Sequence, residues 1–407
     1  MIFKQMELLK QEGLEVTCFS AFVDRKNCFP EEISNYDIRQ IPPIFLNKFI
    51  PHDLMIILVT LLFPLAIFKF RNFDIFLGEN QAGPWWAFLA AEIFRRPFLI
   101  YQNYPPTLVR PREIDRKAGR RTSLPTALFL KILKPLIIKF DYLVASKAVV
   151  ILGNGEYARK VLEETYRRKI VVCPAGTEKK KFNQEIFKKR FYGRFMVGSQ
   201  VIKKPYLLIT NRHFPAKRLD YGILTISNLK NPWPRLPTSS RLGRGRVGSA
   251  EGGQKSKFNL VITGAATPYT REIKRSVGKY QLQDKVIFTG LVSEKDLDHL
   301  YQNALVYLYT APEEDFGLGI IEAMAEGVPV VAWNKAGPAY IIKNSQTGYL
   351  AIPGDFSDFV AGVRILLDQK TNWQMALAAY KEAQKYSWEN HRRIIIEEIK
   401  KIYEGIT

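Results

Sequence analysis

Cysteine and histidine are both scarce in this chain. Its 407 residues include three cysteines and four histidines. Cys18, Cys28 and Cys173 form no CxxC pair and show no zinc-ligand spacing, which argues against a disulfide scaffold and a zinc-finger module. We therefore expect a reducing, cytoplasmic setting and no metal site built from histidine and cysteine.

Long hydrophobic runs are also missing. The strongest apolar stretch, residues 50–70, reads IPHDLMIILVTLLFPLAIFKF. Its apolar core from Leu54 to Phe68 is broken by Pro64 and falls short of the ~20 residues that span a bilayer. It is either a buried helix of the first domain or a helix that dips into a membrane surface. The first residues, MIFKQMELLKQEG, predict an amphipathic helix rather than a signal peptide.

Acidic residues are few relative to basic ones. The chain has 39 Asp and Glu against 60 Lys and Arg, a formal net charge of +21. An excess of this size indicates anionic partners, namely nucleoside diphosphates, anionic lipids or nucleic acid. No helix-turn-helix, zinc finger or RNA-binding motif accompanies the charge, so nucleic acid ranks last. Residues 110–140 mix arginines and lysines with LFLKILKPLIIKF, which suits either a solvated helix face or an anionic membrane surface.

Strand and helix patterns alternate along most of the chain, which favours an α/β fold with parallel sheets. The length and the 47% hydrophobic content allow two or three full domains. We predict a first domain over residues 1–195, a second over 196–385, and a last helix over 386–407. Residues 229–257 are rich in Pro, Gly, Ser and Arg, and we predict a disordered insertion there.

Residues 311–332, APEEDFGLGIIEAMAEGVPVVA, carry the most distinctive pattern. Glu314 and Glu322 lie on either side of a turn in which Gly317 and Gly319 allow close approach of a ligand. Phe316 and Leu318 can form an apolar wall. A helix that begins near Gly319 would offer free N–H groups to a phosphate.

A second group of candidates lies upstream of that segment. Arg212 and Lys217 follow a predicted strand, Tyr206–Ile209, and two cations in a loop suit a diphosphate. His213 lies beside them, where it lines a site more plausibly than it acts as a base. Gly264 follows the next predicted strand, Asn259–Thr263, at a glycine turn that a ligand can approach closely.

These motifs resemble one known family. The run from Glu314 to Val331 resembles the E-x7-E signature of retaining, nucleotide-sugar-dependent glycosyltransferases of family 4, E-G-F-G-L-x-x-x-E-A-M-A-x-G-x-P-V-V. Asp315 replaces the first glycine of that pattern. The N-R-x-x-x-x-K spacing of Arg212 and Lys217 is similar to the family's diphosphate-binding pair.

The resemblance implies two facing, doubly wound Rossmann-like domains, the GT-B architecture. It implies that Arg212 and Lys217 neutralise the nucleotide diphosphate, that Glu314 faces the transferred sugar and that Glu322 binds the ribose. It also implies a metal-independent, retaining transfer without a cofactor. GDP-mannose is the favoured donor over a UDP-hexose, and the expected acceptor is a glycan or a lipid-linked molecule.

The first domain departs from the family pattern in two ways. The family's initial strand and glycine-rich loop have no counterpart before the first helix, so we expect a gap in the first sheet. Asn103, in YQNYPP, occupies a position where the family commonly has a histidine, and we assign it to the acceptor side. An alternative is therefore a catalytically impaired sugar-nucleotide-binding fragment of the same fold. A scaffold that binds membrane or nucleic acid through its charge is a third possibility.

Overall fold

The structure, a computed structural model, describes residues 2–21, 23, 34–41, 52–80, 82–112, 124–229 and 257–405. The chain divides into two compact units, the first formed by Met1–Glu178 with Lys385–Thr407 and the second by Lys179–Gln384. The predicted insertion, apart from its end residues 229 and 257, lies outside the described residues, as does Cys28. The predicted border at 195 differs from the observed one because Phe182 and Arg190 already pack within the second unit.

The first unit alternates helices with short strands. Its elements are α1 (Ile2–Gln11), β1 (Cys18–Ser20), β2 (Ile38–Gln40), α2 (His52–Leu62), a 3-10 segment (Phe63–Phe70), β3 (Phe76–Glu79), α3 (Gly83–Phe94), β4 (Phe98–Gln102), α4 (Leu124–Lys147), β5 (Val150–Gly153), α5 (Glu156–Tyr166) and β6 (Val171–Val172).

The strands described in this unit form two separate parallel sheets. One pairs β1 with β2, and the other has the order β3-β4-β5-β6. The gap that the sequence leads us to expect in the first sheet remains a prediction. The carboxyl ends of β3 and β4 are adjacent, because Glu79 pairs with Tyr101 in the parallel register.

The apolar stretch before β3 is half buried. Pro64 lies at the start of the 3-10 segment, where the α-helical pattern of α2 ends, as its missing N–H would lead us to expect. Phe63, Ile67 and Phe70 enter the core, whereas Leu61 and Leu65 remain exposed. No helix among the described residues is both long enough and apolar enough to cross a membrane.

The second unit is built around one parallel sheet. Its elements are α6 (Gln184–Lys188), β7 (Arg194–Val197), β8 (Gln200–Lys203), β9 (Tyr206–Thr210), α7 (Asp220–Asn228), β10 (Asn259–Thr263), α8 (Tyr269–Lys279), β11 (Val286–Gly290), α9 (Glu294–Asn303), β12 (Val306–Tyr309), α10 (Leu318–Ala325), β13 (Val330–Trp333), α11 (Pro338–Ile341), β14 (Gly348–Ala351), α12 (Phe356–Leu366) and α13 (Gln369–Ala383).

The six strands from β9 to β14 have the order β11-β10-β9-β12-β13-β14. Counted from β9, this is the order 3-2-1-4-5-6 of the doubly wound Rossmann sheet. Strands β9, β10, β12 and β13 are almost entirely buried, as their continuous apolar runs predict for a sheet covered on both faces. The winding reverses between β9 and β12, and ligands of such sheets bind outside the strand ends at this point.

A last helix, α14 (Trp388–Glu404), belongs to the first unit. Its His391 is fully buried, and the Nδ1 atom lies 2.9 Å from the carbonyl oxygen of Pro174 and 3.4 Å from the sulfur of Cys173. The Nε2 atom lies 3.1 Å from the amide nitrogen of Gln5 on α1. The helix thus completes the core of a unit that begins almost four hundred residues earlier in the chain.

Candidate functional site

The loops that follow β9 and β10 lie against each other at the carboxyl end of the second sheet. The backbone N–H groups of Asn211 and His213 donate to the carbonyl oxygens of Thr263 and Ala265, each at 3.0 Å. Gly264 lies between these contacts with a φ of +132°, and a Cβ atom there would lie 2.1 Å from the Asn211 oxygen. Only glycine fits this position, so Gly264 fixes how closely the two loops approach.

Lys217 and Glu314 form a short ion pair between Nζ and Oε2 at the point where the sheet order reverses. The Lys217 side chain is 28% exposed and that of Glu314 is 22% exposed, so both remain accessible to a ligand. The hydroxyl of Thr310, just after β12, donates to the carbonyl oxygen of Lys217 at 2.7 Å. This bond ties the loop after β9 to the loop after β12 and holds a cation beside a carboxylate.

Arg212 lies in the same loop after β9, shortly before Lys217 in the chain, and has an exposed side chain. Its guanidinium makes no hydrogen bond or ion pair with the part of the chain that the structure describes. An exposed cation of this kind is available to an anionic ligand, and an Arg can bind phosphate oxygens with two parallel N–H groups.

The turn between the two glutamates has the conformation that its glycines predict. Gly317 caps α10 with a φ of +103°, which a residue with a side chain rarely adopts. The Ile320 N–H donates to the Gly317 carbonyl oxygen at 2.9 Å. Because the cap has no side chain, the N–H groups of Leu318 and Gly319 are left for another acceptor. At Gly319 a Cβ atom would lie 2.3 Å from the Tyr307 hydroxyl. Phe316 is buried and Leu318 is 37% exposed, so they form the inner and outer walls of the turn.

Glu322, in the first turns of α10, is held by a chain of hydroxyl groups. The hydroxyl of Tyr301 donates to its Oε2 atom at 2.8 Å. Thr210 Oγ1 lies 2.6 Å from the Tyr301 hydroxyl and 2.8 Å from that of Tyr307. Burial raises the pKa of Glu322, while the hydrogen bond from Tyr301 opposes this rise. The carboxylate is therefore oriented by one oxygen and keeps the other for a ligand.

His213 is a buried wall residue of the same site. It is 1% exposed, its Nδ1 atom lies 2.9 Å from the Thr270 hydroxyl, and its ring meets that of Phe288 edge to face at 5.9 Å. Burial, and then the charge of Lys274, lowers its pKa, so the neutral ring predominates at neutral pH. Within the described chain its Nε2 atom has no hydrogen-bond partner.

The structure thus groups the predicted residues of the second unit around the ends of β9, β10 and β12. These residues are Arg212, His213, Lys217, Gly264, Glu314, Phe316, Gly317, Leu318, Gly319 and Glu322. Asn103 belongs to the first unit, where it follows β4 and its Oδ1 atom is buried without a partner among the described residues.

Sequence reasoning missed the tyrosines that surround the two glutamates. Tyr307 and Tyr309 alternate along β12 and so point to the face opposite Leu308, which enters the core. Tyr309 is fully buried, and the nearby charge of Glu314 adds to the burial that raises its pKa. The two tyrosine hydroxyl groups in the apolar VYLY strand were the sequence signal that could have identified these residues.

No three His, Cys, Asp or Glu side chains of the described ranges are grouped to hold a metal ion. The expectation of a metal-independent reaction remains a prediction.

Comparison with known proteins identifies the segment that carries this site. Residues 198–386 match the family model described as glycosyl transferases group 1. A probable sucrose-phosphate synthase 5 of Oryza sativa is 31% identical over 152 residues, which is 36% of this chain and 15% of that protein. An alpha-1,3/1,6-mannosyltransferase, ALG2, of Dictyostelium discoideum is 30% identical over 132 residues, 31% of each chain. The similarity thus spans less than a third of the length of either relative.

The likeness in structure extends over both units. The Anabaena protein Alr3699/HepE, solved in complex with UDP and glucose, superposes with a TM-score of 0.67. The superposition covers 98% of this chain and 95% of that one at 16% sequence identity. At such low identity the likeness establishes the fold alone, which is GT-B, with parallel Rossmann-like sheets as the sequence predicted.

Proposed function

We propose that the protein is a glycosyltransferase that transfers a hexose from a nucleoside diphosphate sugar to a glycan or a lipid-linked acceptor. The segment that matches glycosyl transferases group 1 contains every donor-side residue of the proposal. Arg212 and Lys217 would neutralise the diphosphate, Glu322 would accept the ribose hydroxyls, and Glu314 would accept hydroxyls of the transferred sugar.

One observation carries this assignment. The Lys217–Glu314 pair, the glycine-capped start of α10 and the oriented carboxylate of Glu322 meet where the Rossmann order reverses. A nucleoside diphosphate sugar needs cations and N–H groups for its phosphates, and hydroxyl acceptors on either side of them. The presence of all three kinds of group in the site supports the proposal.

The donor we favour is GDP-mannose, with a UDP-hexose as the alternative. A mannosyltransferase is among the similar proteins, and HepE, which superposes on this chain, was solved with UDP and glucose. Asn103, whose buried Oδ1 atom accepts no hydrogen bond among the described groups, is proposed for the acceptor side. We assign the protein to the cytoplasm, since Cys18 and Cys173 are both free thiols.

The reaction is proposed to retain the configuration of the sugar. The bond between the anomeric carbon and the phosphate oxygen breaks while a bond to the acceptor oxygen forms on the same face. The departing phosphate takes the acceptor's proton. Arg212 and Lys217 would stabilise the charge that grows on that phosphate, so the reaction needs no metal ion. Full activity in excess EDTA is the expected result.

Replacing Glu314 with alanine tests the assignment. We expect the Glu314→Ala variant to lose about 100-fold or more of kcat, because the carboxylate orients the reacting sugar. Release of GDP or UDP from a panel of nucleotide sugars measures this. Glu272→Ala, an exposed glutamate of α8, is the matched control. A Glu314→Ala variant as active as the control would contradict the proposed role.

A sugar-nucleotide-binding protein without turnover is the second candidate, favoured by the two separate sheets of the first unit. Calorimetric titration with GDP and UDP, combined with the turnover assay, separates the two. Binding together with turnover supports the transferase. Binding without turnover of any nucleotide sugar supports the second candidate, and the absence of binding contradicts both.

A further inference from the structure

Six large apolar side chains of the first unit are exposed on two helical segments that both pack on α3. On α2 and the 3-10 segment, Leu61 is 71% exposed, Leu65 is 81% exposed and Phe68 is 76% exposed. On α4, Ile132 is 67% exposed, Leu136 is 65% exposed and Leu143 is 44% exposed. A cluster of this kind on a globular protein usually marks an interaction surface. We call these six residues the apolar face.

Both segments pack on the same helix, α3, through the sides that lie opposite their exposed residues. The ring of Phe63 stacks on Trp86 with 5.4 Å between centroids, and the ring of Phe140 meets Trp85 edge to face at 5.6 Å. Because Trp85 and Trp86 are consecutive on α3, the two segments contact the same turn of that helix. Their inward residues complete the core, so the apolar face is not needed for it.

The exposed charges on the two stretches that carry the apolar face have one sign. They are Lys69, Arg71, Lys131, Lys139 and Lys147. The one acid within residues 61–71 and 131–147 is Asp141, which is 4% exposed and accepts hydrogen bonds from Trp85 at 2.8 Å and Tyr166 at 2.7 Å. No carboxylate is therefore exposed on either stretch to repel an anionic surface.

We infer that the apolar face docks the protein on an anionic lipid bilayer. Its side chains would enter the boundary between head groups and acyl chains, while the lysines and Arg71 bind lipid phosphates. Nucleic acid fits less well, since it requires cations but has no use for exposed aliphatic side chains. This inference goes beyond the proposed function and does not depend on turnover.

Vesicle sedimentation tests the inference with the full chain. Binding to phosphatidylcholine vesicles that contain phosphatidylglycerol is compared with binding to phosphatidylcholine alone. We expect clear preference for the anionic vesicles, and a fall of about 100-fold or more in the variant that combines Leu61→Ser, Leu65→Ser and Phe68→Ser. Leu291→Ser is the matched control, because Leu291 is 79% exposed but lies in the second unit.

The contribution of the positive charges beside the apolar face to vesicle binding is tested separately. The variant Lys69→Glu, Lys131→Glu, Lys139→Glu should lose about 100-fold or more in affinity for anionic vesicles, since each cation near such a surface contributes about fivefold and reversal adds repulsion. A control variant reverses three exposed lysines of the second unit, Lys295→Glu, Lys370→Glu, Lys381→Glu, and should change binding far less.

Three outcomes would overturn the inference. They are equal binding to both kinds of vesicle, unchanged binding of the triple serine variant, and tighter binding to a DNA duplex that the serine changes do not affect. Circular dichroism and GDP or UDP titration of each variant show whether it is folded. These readouts separate failure of docking from failure of the proposed donor site.

Discussion

Removing the hydroxyl of Tyr301 should weaken donor binding even though this residue need not touch the donor. Tyr301 is 2% exposed and donates to Glu322 at 2.8 Å. In Tyr301→Phe the ring keeps its edge-to-face contact with Tyr307, whose centroid is 5.6 Å away. Thr210 keeps the Tyr307 hydroxyl as its partner at 2.8 Å. The substitution therefore removes mainly the bond that orients Glu322.

The size of the effect follows from that bond. A hydrogen bond to a charged group contributes about 1.5–3 kcal/mol, and 1.4 kcal/mol is a factor of ten in affinity. If Glu322 binds the ribose, the dissociation constants of GDP or UDP should rise about 10- to 100-fold. The ribose does not change during transfer, so KM should rise while kcat stays nearly constant.

The pH dependence of donor binding should also change in Tyr301→Phe. Burial raises the pKa of Glu322 and the Tyr301 bond holds it down, so Tyr301→Phe raises it further. The ionised carboxylate is the form that accepts ribose hydroxyls. Donor binding should therefore weaken as pH falls through this pKa, and in the variant it should begin to weaken at a higher pH.

Calorimetric titration of GDP, UDP and their 2′-deoxy counterparts between pH 5 and 8 measures both effects. The variant should also discriminate less between the ribose and deoxyribose forms. Tyr192→Phe, at a tyrosine that is 63% exposed in the same unit, is the matched control. A folded Tyr301→Phe protein with the affinity and pH profile of this control would refute the positioning role.

Three further predictions concern stability, each measured by urea unfolding. Burial raises the pKa of Glu79 from 4.5 to about 7, so the free energy of unfolding should fall by about 3 kcal/mol between pH 4 and 8, and Glu79→Gln should abolish this fall; an unchanged pH dependence would contradict it. Arg190→Met should cost about 3–5 kcal/mol, because the buried guanidinium donates to three carbonyl oxygens, two of them at 2.6 Å; a loss below about 1 kcal/mol would refute this. Gly264→Ala should destabilise by about 2 kcal/mol or more and weaken GDP and UDP binding, whereas Gly278→Ala, where a Cβ meets nothing within 4 Å, should not.

Much of the fold could be predicted from local pattern. The observed bounds of β10 (Asn259–Thr263) coincide with those expected from the sequence, and α1 (Ile2–Gln11) lies within the predicted N-terminal amphipathic helix. In α9 the start is fixed by Ser293, whose hydroxyl accepts from the Asp296 N–H at 3.1 Å. Helix caps and apolar periodicity each involve residues that are close together in the sequence, so they can be predicted from local pattern.

What the sequence did not reveal depends on residues that are far apart. The antiparallel pair β7 and β8 has little apolar alternation, and β14 forms a strand through its pairing with β13. In the site, the Lys217–Glu314 ion pair joins residues 97 positions apart, and Tyr301 meets Glu322 from another helix. These contacts follow from the strand order, which local propensity does not encode.

The discontinuity of the first unit has a consequence for synthesis on the ribosome. The second unit, Lys179–Gln384, is continuous, whereas the first requires Lys385–Thr407 to complete its core. At a typical rate of translation, roughly 10–40 s separate the emergence of Glu178 from that of Lys385. During this interval the surface that receives His391 and Ile395 is uncovered, while the second unit can already fold. The order of folding is thus expected to be the reverse of the order of synthesis, and ribosome stalling before residue 385 should leave the first unit sensitive to protease.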